Sequence, residues 1–287
     1  MKKLLLLSGK GGTGKTTTAA AFMRFAQAKA AADCDVDAPN LHLVTEQTVQ
    51  PLVEDFLGGD KAVVDRDRCV GCGVCASHCR FAALSIADGT ACVNAYACEG
   101  CGVCALVCPQ GAVELVTDVA GRKELYLDGG VFSTAALKMG RGNSGKLVTE
   151  VKRAMLKNAP DTDLAIVDGS PGIGCPVMAS VSGMDLVLVV AEPSHSGRSD
   201  LDRLVRTAET FQARLAVCVN KWDVSPENTQ AIQDYCRERD IPFVGVIPYD
   251  RSASAAINAG RSLAEVDCPA RDALYAIFVN TSKLLGL

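Results

Sequence analysis

Eight of the fourteen cysteines stand in two near-identical runs, Cys69-x2-Cys72-x2-Cys75-x3-Cys79 and Cys98-x2-Cys101-x2-Cys104-x3-Cys108-Pro109. The runs are offset by 29 residues, and their surroundings repeat with them. Cys69-Val70-Gly71-Cys72-Gly73-Val74-Cys75 is echoed by Cys98-Glu99-Gly100-Cys101-Gly102-Val103-Cys104, and Phe81-Ala82-Ala83-Leu84 by Gly111-Ala112-Val113-Glu114-Leu115. So small a repeat cannot bury enough apolar surface to fold unaided, so a thiolate-held centre in each half must supply the cross-links. The repeated segment, from about Val63 to Val116, reads as an insert flanked by Gly58-Gly59 on one side and an Asp118–Gly121 turn on the other.

Outside the insert the pattern is strand alternating with helix. Leu4–Ser8 is a continuous apolar run of the kind buried on both faces of a parallel sheet, and an Ala-rich helix is expected over Thr16–Ala30. Ala30–Ala32, Leu164–Val167, Leu186–Val190, Leu215–Val219 and Phe243–Ile247 read as further strands. Helices are expected from about Ser199 to Phe211 and over Arg271–Leu285. The pattern predicts an α/β fold, with a mostly parallel sheet, helices on both faces and ligands at the carboxyl edge. A small α+β insert interrupts it, giving segments 1–60, 61–117 and 118–287.

Composition narrows the function classes. A hydrophobic content of 48% supports a buried core, and with aromatics at 5% that core must rest on aliphatic residues. A net charge of −4 leaves no basic stripe for nucleic acid. No apolar run reaches the roughly 20 residues needed to cross a bilayer. Asp272–Leu287 has too few cations to make a good interfacial helix, so no stable membrane anchor is expected. Met1–Leu7 reads as a strand rather than a signal peptide, and C-x2-C spacing favours metal over disulfides, so a reducing cytoplasm is expected.

Gly9-Lys10-Gly11-Gly12-Thr13-Gly14-Lys15-Thr16-Thr17 follows a strand and opens a helix. Glycines let the loop close around phosphate oxygens, whose charge meets main-chain N–H groups and the helix start. Lys15 is expected on the β and γ phosphates, and the Thr16 hydroxyl on Mg²⁺. Asn220-Lys221-Trp222-Asp223 ends a strand and is expected to border the base. An N-K-x-D sequence suggests guanine, with the Asp accepting from the exocyclic amine.

The cysteine spacing is similar to that of bacterial two-cluster ferredoxins, in which the fourth Cys of each run ligates the other cluster. That resemblance implies two [4Fe–4S] clusters. One would be held by Cys69, Cys72, Cys75 and Cys108, the other by Cys98, Cys101, Cys104 and Cys79. Cys79-Arg80 departs from the expected Cys-Pro ending, which bears on turn geometry and potential more than on ligation. Paired C-x2-C motifs also serve zinc ribbons, but two complete four-Cys runs in tandem argue against zinc. Cys92 fits neither run and reads as a packed residue. His42, His78 and His195 are scattered and read as ordinary polar residues.

With Lys10 ahead of Gly14-Lys15-Thr16, the loop resembles the deviant Walker A motif of the MinD, ParA, Mrp and nitrogenase-iron-protein group. Asp33-Cys34-Asp35-Val36-Asp37-Ala38-Pro39-Asn40-Leu41 and Asp168-Gly169-Ser170-Pro171-Gly172-Ile173-Gly174-Cys175-Pro176 resemble that group's two switch segments. The whole chain resembles MinD-superfamily P-loop ATPases with an inserted ferredoxin domain. The resemblance implies a homodimer in which Lys10 reaches the partner's phosphates, Asp35 orients the attacking water and Asp168 holds the Mg²⁺ shell, with Asp33 a second candidate. In this group the Asn220 position contacts adenine, so ATP is expected and GTP stays open. Cys175 matches the offset of a cluster-ligating cysteine at the dimer axis of the nitrogenase iron protein, whose second ligand cysteine has no counterpart here. The bridging C-x2-C of Mrp-type carriers is also absent, since Cys218, Cys236 and Cys268 are isolated.

These readings imply an ATPase whose nucleotide-driven dimer rearrangement controls electron transfer through two clusters to a redox partner. The alternative is an ATPase that assembles or carries clusters or a metal cofactor, with a cofactor-assembly protein as partner. A MinD-like positioning ATPase leaves the insert unexplained. A plain ferredoxin with a degenerate nucleotide fold leaves Lys15, Asp35 and Asp168 unexplained.

Overall fold

The computed structural model describes residues 1–45 and 47–287. In chain order the elements are β1 (Lys2–Leu7), α1 (Lys15–Ala26), β2 (Ala30–Asp33), β3 (Leu52–Val64), α2 (Val74–Ser77), β4 (Leu84–Ala87), β5 (Thr90–Val93), α3 (Val103–Leu106) and β6 (Val113–Leu127). They continue with β7 (Val131–Leu137), α4 (Ser144–Asn158), β8 (Leu164–Asp168), α5 (Cys175–Val181), β9 (Leu186–Ala191), α6 (His195–Thr210), β10 (Leu215–Asn220), α7 (Pro226–Glu238), β11 (Phe243–Ile247), α8 (Arg251–Asn258) and α9 (Pro269–Leu285). Two compact units result, one of Met1–Val53, Lys123–Ala136 and Ser144–Leu287, the other of Glu54–Arg122 and Leu137–Asn143.

In the first unit the strands run in the order β11-β10-β9-β1-β8-β2-β7, every neighbouring pair parallel. The order continues with β6 and β3, most of whose residues belong to the second unit. Leu4 through Leu7, Ile166 and Leu188 are buried as a strand covered on both faces requires. Phe22 and Phe278 meet edge to face at 5.3 Å between α1 and α9. From β1 the chain turns one way across the sheet to β2, and from β8 it crosses β1 to reach β9. β1 thus marks a switch point, where ligands bind beyond the carboxyl ends.

Helix boundaries differ from the sequence expectation for local reasons. α1 ends at Ala26, not Ala30, because Gln27 turns left-handed at φ 47° and Ala28 N–H bonds the Met23 carbonyl. α6 begins at His195, four residues earlier than expected, because Ser194 Oγ accepts the Gly197 N–H as an N-cap at 3.0 Å. Pro269 opens α9 two residues early, its missing N–H costing nothing at that position.

The flanks of the insert require a larger correction. Gly58-Gly59 lies inside β3, and Asp118–Gly121 lies inside β6 rather than forming a turn. A Cβ at Gly58 would come within 2.5 Å of the Ala120 Cβ, so this glycine marks a close approach within the second unit rather than a linker. The rest of that unit is the β4–β5 hairpin, pairing Leu84 with Val93, and the single-turn helices α2 and α3. Its core is Ala62, Ala83, Leu84, Ala91 and Val113 together with Cys75, Cys98 and Cys104.

Gly58→Val keeps a strand-compatible backbone but overpacks this contact. It should destabilise the protein by about 1–3 kcal/mol, read as a lower urea midpoint at unchanged slope.

Candidate functional site

The loop after β1 lines a large open cavity at the carboxyl edge of the first unit, formed by Lys10 through Thr18 with Asp35, Asn40, Pro171, Asn220 and the Pro248–Asp250 segment. Gly14 makes the cradle possible. It sits at φ 92°, and a Cβ there would come within 2.3 Å of Asn220 Nδ2. Asn220 Nδ2 donates to the Thr13 carbonyl at 2.8 Å, so the end of β10 braces the loop. Gly9 lies outside the cavity lining and packs on Asp200.

Asp168 is 0% exposed at the end of β8. Its Oδ1 accepts from Lys15 Nζ at 2.6 Å and its Oδ2 from the Thr16 hydroxyl at 2.6 Å. The two residues named for Mg²⁺ therefore touch, and the loop lysine is paired to one of them. In the sheet register Asp168 stands beside Asp33. Burial first, and the Asp168 carboxylate second, push the Asp33 carboxyl well above the usual carboxylate range.

Asp33 spends both oxygens on the main chain, accepting N–H groups of Asp35 at 3.0 Å, Asn40 at 3.0 Å and Leu41 at 2.9 Å. It thus shapes the loop and does not line the cavity, unlike a second metal ligand. Asp35, carried on that loop, does line it. Burial raises the Asp35 carboxyl to about 6, with Lys15 opposing the shift. The two switch segments are bonded to each other: Cys34 N–H donates to the Asp168 carbonyl at 2.7 Å, and Ser170 Oγ to the Cys34 carbonyl at 2.6 Å.

Lys10 pairs with Glu192 at 2.6 Å and reaches Ser196 Oγ at 3.3 Å. Glu192 follows β9 with no motif around it, so sequence reasoning passed over it. Asp223 stands outside the cavity lining, and its Oδ1 accepts the Tyr249 N–H at 2.8 Å. It braces the Pro248–Asp250 segment, which sequence reasoning also missed. Cys175 opens α5 as an exposed thiol.

The second unit holds two smaller cavities. Cys69, Cys72, Cys75 and Cys108 line one, with Val70, Ile86, Ala91 and Val113. Cys79, Cys98, Cys101 and Cys104 line the other, with Phe81, Ala83, Leu84 and Leu115. Each contains three cysteines of one run and the last cysteine of the other. Main-chain N–H groups point at the sulfurs in matched pairs: Ala91 to Cys69 at 3.4 Å and Ala112 to Cys108 at 3.2 Å, Ala62 to Cys98 at 3.4 Å and Ala83 to Cys79 at 3.4 Å. The Ala112 N–H, ahead of its neighbours, holds the Cys108 thiol below its ordinary value, while burial raises Cys75 and Cys104.

Among the described residues no three His, Cys, Asp or Glu side chains converge as the shell of a single metal ion would. The four cysteines of each set line an apolar cavity, and two main-chain N–H groups point at sulfurs of each set.

The sequence profile of the CobQ/CobB/MinD/ParA nucleotide-binding domain matches residues 4–263. An uncharacterized protein of Methanocaldococcus jannaschii is 32% identical over 222 residues, covering 76% of this chain and 78% of its own. An uncharacterized ATP-binding protein of the same organism is 25% identical over 293 residues, covering 99% and 87%. The septum site-determining protein MinD of Pyrococcus horikoshii, solved with Mg-ADP, superposes with a TM-score of 0.59 at 16% identity, over 99% of this chain and 97% of that one. With a P-loop at the end of the central strand and a profile match along most of its length, the chain belongs to the CobQ/CobB/MinD/ParA nucleotide-binding family.

Proposed function

We propose that the protein is an ATPase that couples nucleotide-dependent rearrangement of a homodimer to electron transfer through two [4Fe–4S] clusters. The observation that carries this reading is the crossed grouping of cysteines. Each cavity draws its fourth thiol from the opposite run, the arrangement of a two-cluster ferredoxin. Cys69, Cys72, Cys75 and Cys108 would hold one cluster, and Cys79, Cys98, Cys101 and Cys104 the other. Such clusters supply one-electron storage and transfer. Three of each set lie in or against the core, which favours a resident redox centre over cargo to be given away.

At the nucleotide, Lys15 would leave Asp168 for the β and γ phosphates, freeing Asp168 and the Thr16 hydroxyl to hold Mg²⁺. Asp35 would orient the attacking water and take its proton, and Lys10, released from Glu192, would reach the partner's phosphates. Adenine would lie against Asn220 and Pro248–Asp250. With Asp223 committed to Tyr249 N–H, the acceptor expected of a guanine site is turned to a structural use, which favours ATP. Among the described residues no helix is long and apolar enough to cross a membrane. A positioning ATPase that binds lipid surfaces would instead sediment with liposomes in ATP.

Four measurements test the reading. In Cys108→Ser, anaerobically reconstituted iron should fall by about half. Adding Cys69→Ser should cost little more, whereas adding Cys98→Ser should remove most of the remainder; the reverse pattern would refute the crossed grouping. Phosphate release should rise with pH through about 6 as Asp35 ionises, and Asp35→Asn should be slow and flat across that range. Lys10→Ala should abolish the ATP-dependent dimer in sedimentation velocity while leaving monomer nucleotide binding in place. For the coupling itself, cluster potentials followed by EPR should shift with Mg-ATP and lose that shift in Lys15→Ala; potentials unmoved by Mg-ATP would leave the clusters a passive supply.

A further inference from the structure

The chain passes between its two units at 53/54, 122/123, 136/137 and 143/144. The first three passages lie within β3, β6 and β7, whereas the fourth delivers Leu137–Asn143 directly into α4. Each end of that fourth passage is tied down.

In the second unit the tie is Arg141. Its Nη1 donates to the Ala95 carbonyl at 2.9 Å, its Nε pairs with Asp118 at 2.7 Å, and its guanidinium stands 5.6 Å from the Tyr96 ring. One planar group thus grips the turn that leads into Cys98, whose N–H bonds the Asn94 carbonyl at 3.0 Å. The repeat supplies an internal control. The matching turn before Cys69 has the same bond, from Cys69 N–H to the Asp65 carbonyl at 3.0 Å, and receives none of the Arg141 contacts.

In the first unit the tie is to the second switch. Gly145, in the first turn of α4, packs so closely on Cys175 that a Cβ there would sit 3.3 Å from the Cys175 carbonyl oxygen. Further along α4, buried Lys152 donates to the carbonyls of Ala179 at 2.7 Å, Ser180 at 2.8 Å and Ser182 at 2.6 Å. A cation on the last carbonyls of a helix both satisfies and holds that end. α4 therefore fastens α5 at both ends, and α5 begins where the Asp168–Pro176 segment stops.

We propose that Leu137–Asn143 is a transmission strap. When nucleotide draws Lys15 from Asp168, the second switch shifts α5, and α4 moves with it as one body. The backbone through Asn143 then carries the displacement to Arg141 and the Cys98 turn. The second cysteine cavity responds to nucleotide and the first does not. This rests on the nucleotide reading above, and Arg141 is a positioning residue acting through the turn.

The test is hydrogen exchange by mass spectrometry on the full-length, anaerobically purified protein, with and without Mg-ATP. In the wild type, Mg-ATP should change exchange of the 94–98 amides about threefold or more, while the 65–69 amides stay unchanged. In Arg141→Ala the response at 94–98 should vanish, with nucleotide protection at Gly11–Thr16 retained. Lys152→Met, which leaves Arg141 intact and loosens α5 from α4, should give the same loss and guards against a folding defect in the first variant. A response at 94–98 that survives both substitutions overturns the strap, as does equal response of the two turns or no response at either while Gly11–Thr16 is protected. Absence of protection at Gly11–Thr16 in the wild type instead refutes the nucleotide reading beneath it.

Discussion

A carboxylate with no solvent sets the terms of the nucleotide site. Asp168 lies beside Asp33 on parallel strands, in a place where two buried acids repel, and among the described residues Lys15 and the Thr16 hydroxyl offset its charge. Removing one partner of so buried a pair costs about 3–5 kcal/mol, because the remaining charge has nowhere to go. The phosphate loop and the second switch are thereby one electrostatic unit. A group that drew Lys15 away would leave the buried Asp168 carboxylate in need of another cation.

The second unit is organised by sulfur. Three of its eight core residues are cysteines, and three more pack against them, so its interior is an assembly of thiols around two cavities. The four N–H···S bonds obey the 29-residue repeat: Ala83 to Cys79 recurs as Ala112 to Cys108, while Ala62 and Ala91 reach across to Cys98 and Cys69. Each half thus completes the environment of the other, and neither half is a module alone. Sulfur supplies here what a unit of this size lacks in apolar surface.

Glu192 and Asp223 show where local pattern misleads. Asp223 sits in a sequence that suggests base recognition, yet its carboxylate is used to brace the chain at Tyr249. Glu192 sits in no motif, yet it meets Lys10, the most diagnostic residue of the loop. Motifs record which residues adjoin in sequence, whereas both of these contacts join the ends of different strands.

The sequence by itself determined the parallel strands, because runs buried on both faces are continuously apolar, and it determined the phosphate loop, because only glycines admit that backbone. Spacing set out two runs of four cysteines, and the ferredoxin resemblance that it carries implied the crossed sets that line the cavities. The sequence did not disclose β3 or β6, whose mostly exposed residues lack a clear alternation, nor β7, whose buried run includes Ser133 and Thr134, and it set the edge of the insert at glycines that lie within β3. Only the tertiary structure decided that Asp33 serves the main chain, that α4 fastens α5 at both ends, and that Arg141 grips the turn before Cys98. Each of these depends on groups brought together from distant parts of the chain, and no periodicity in the sequence encodes which side chain will meet which carbonyl.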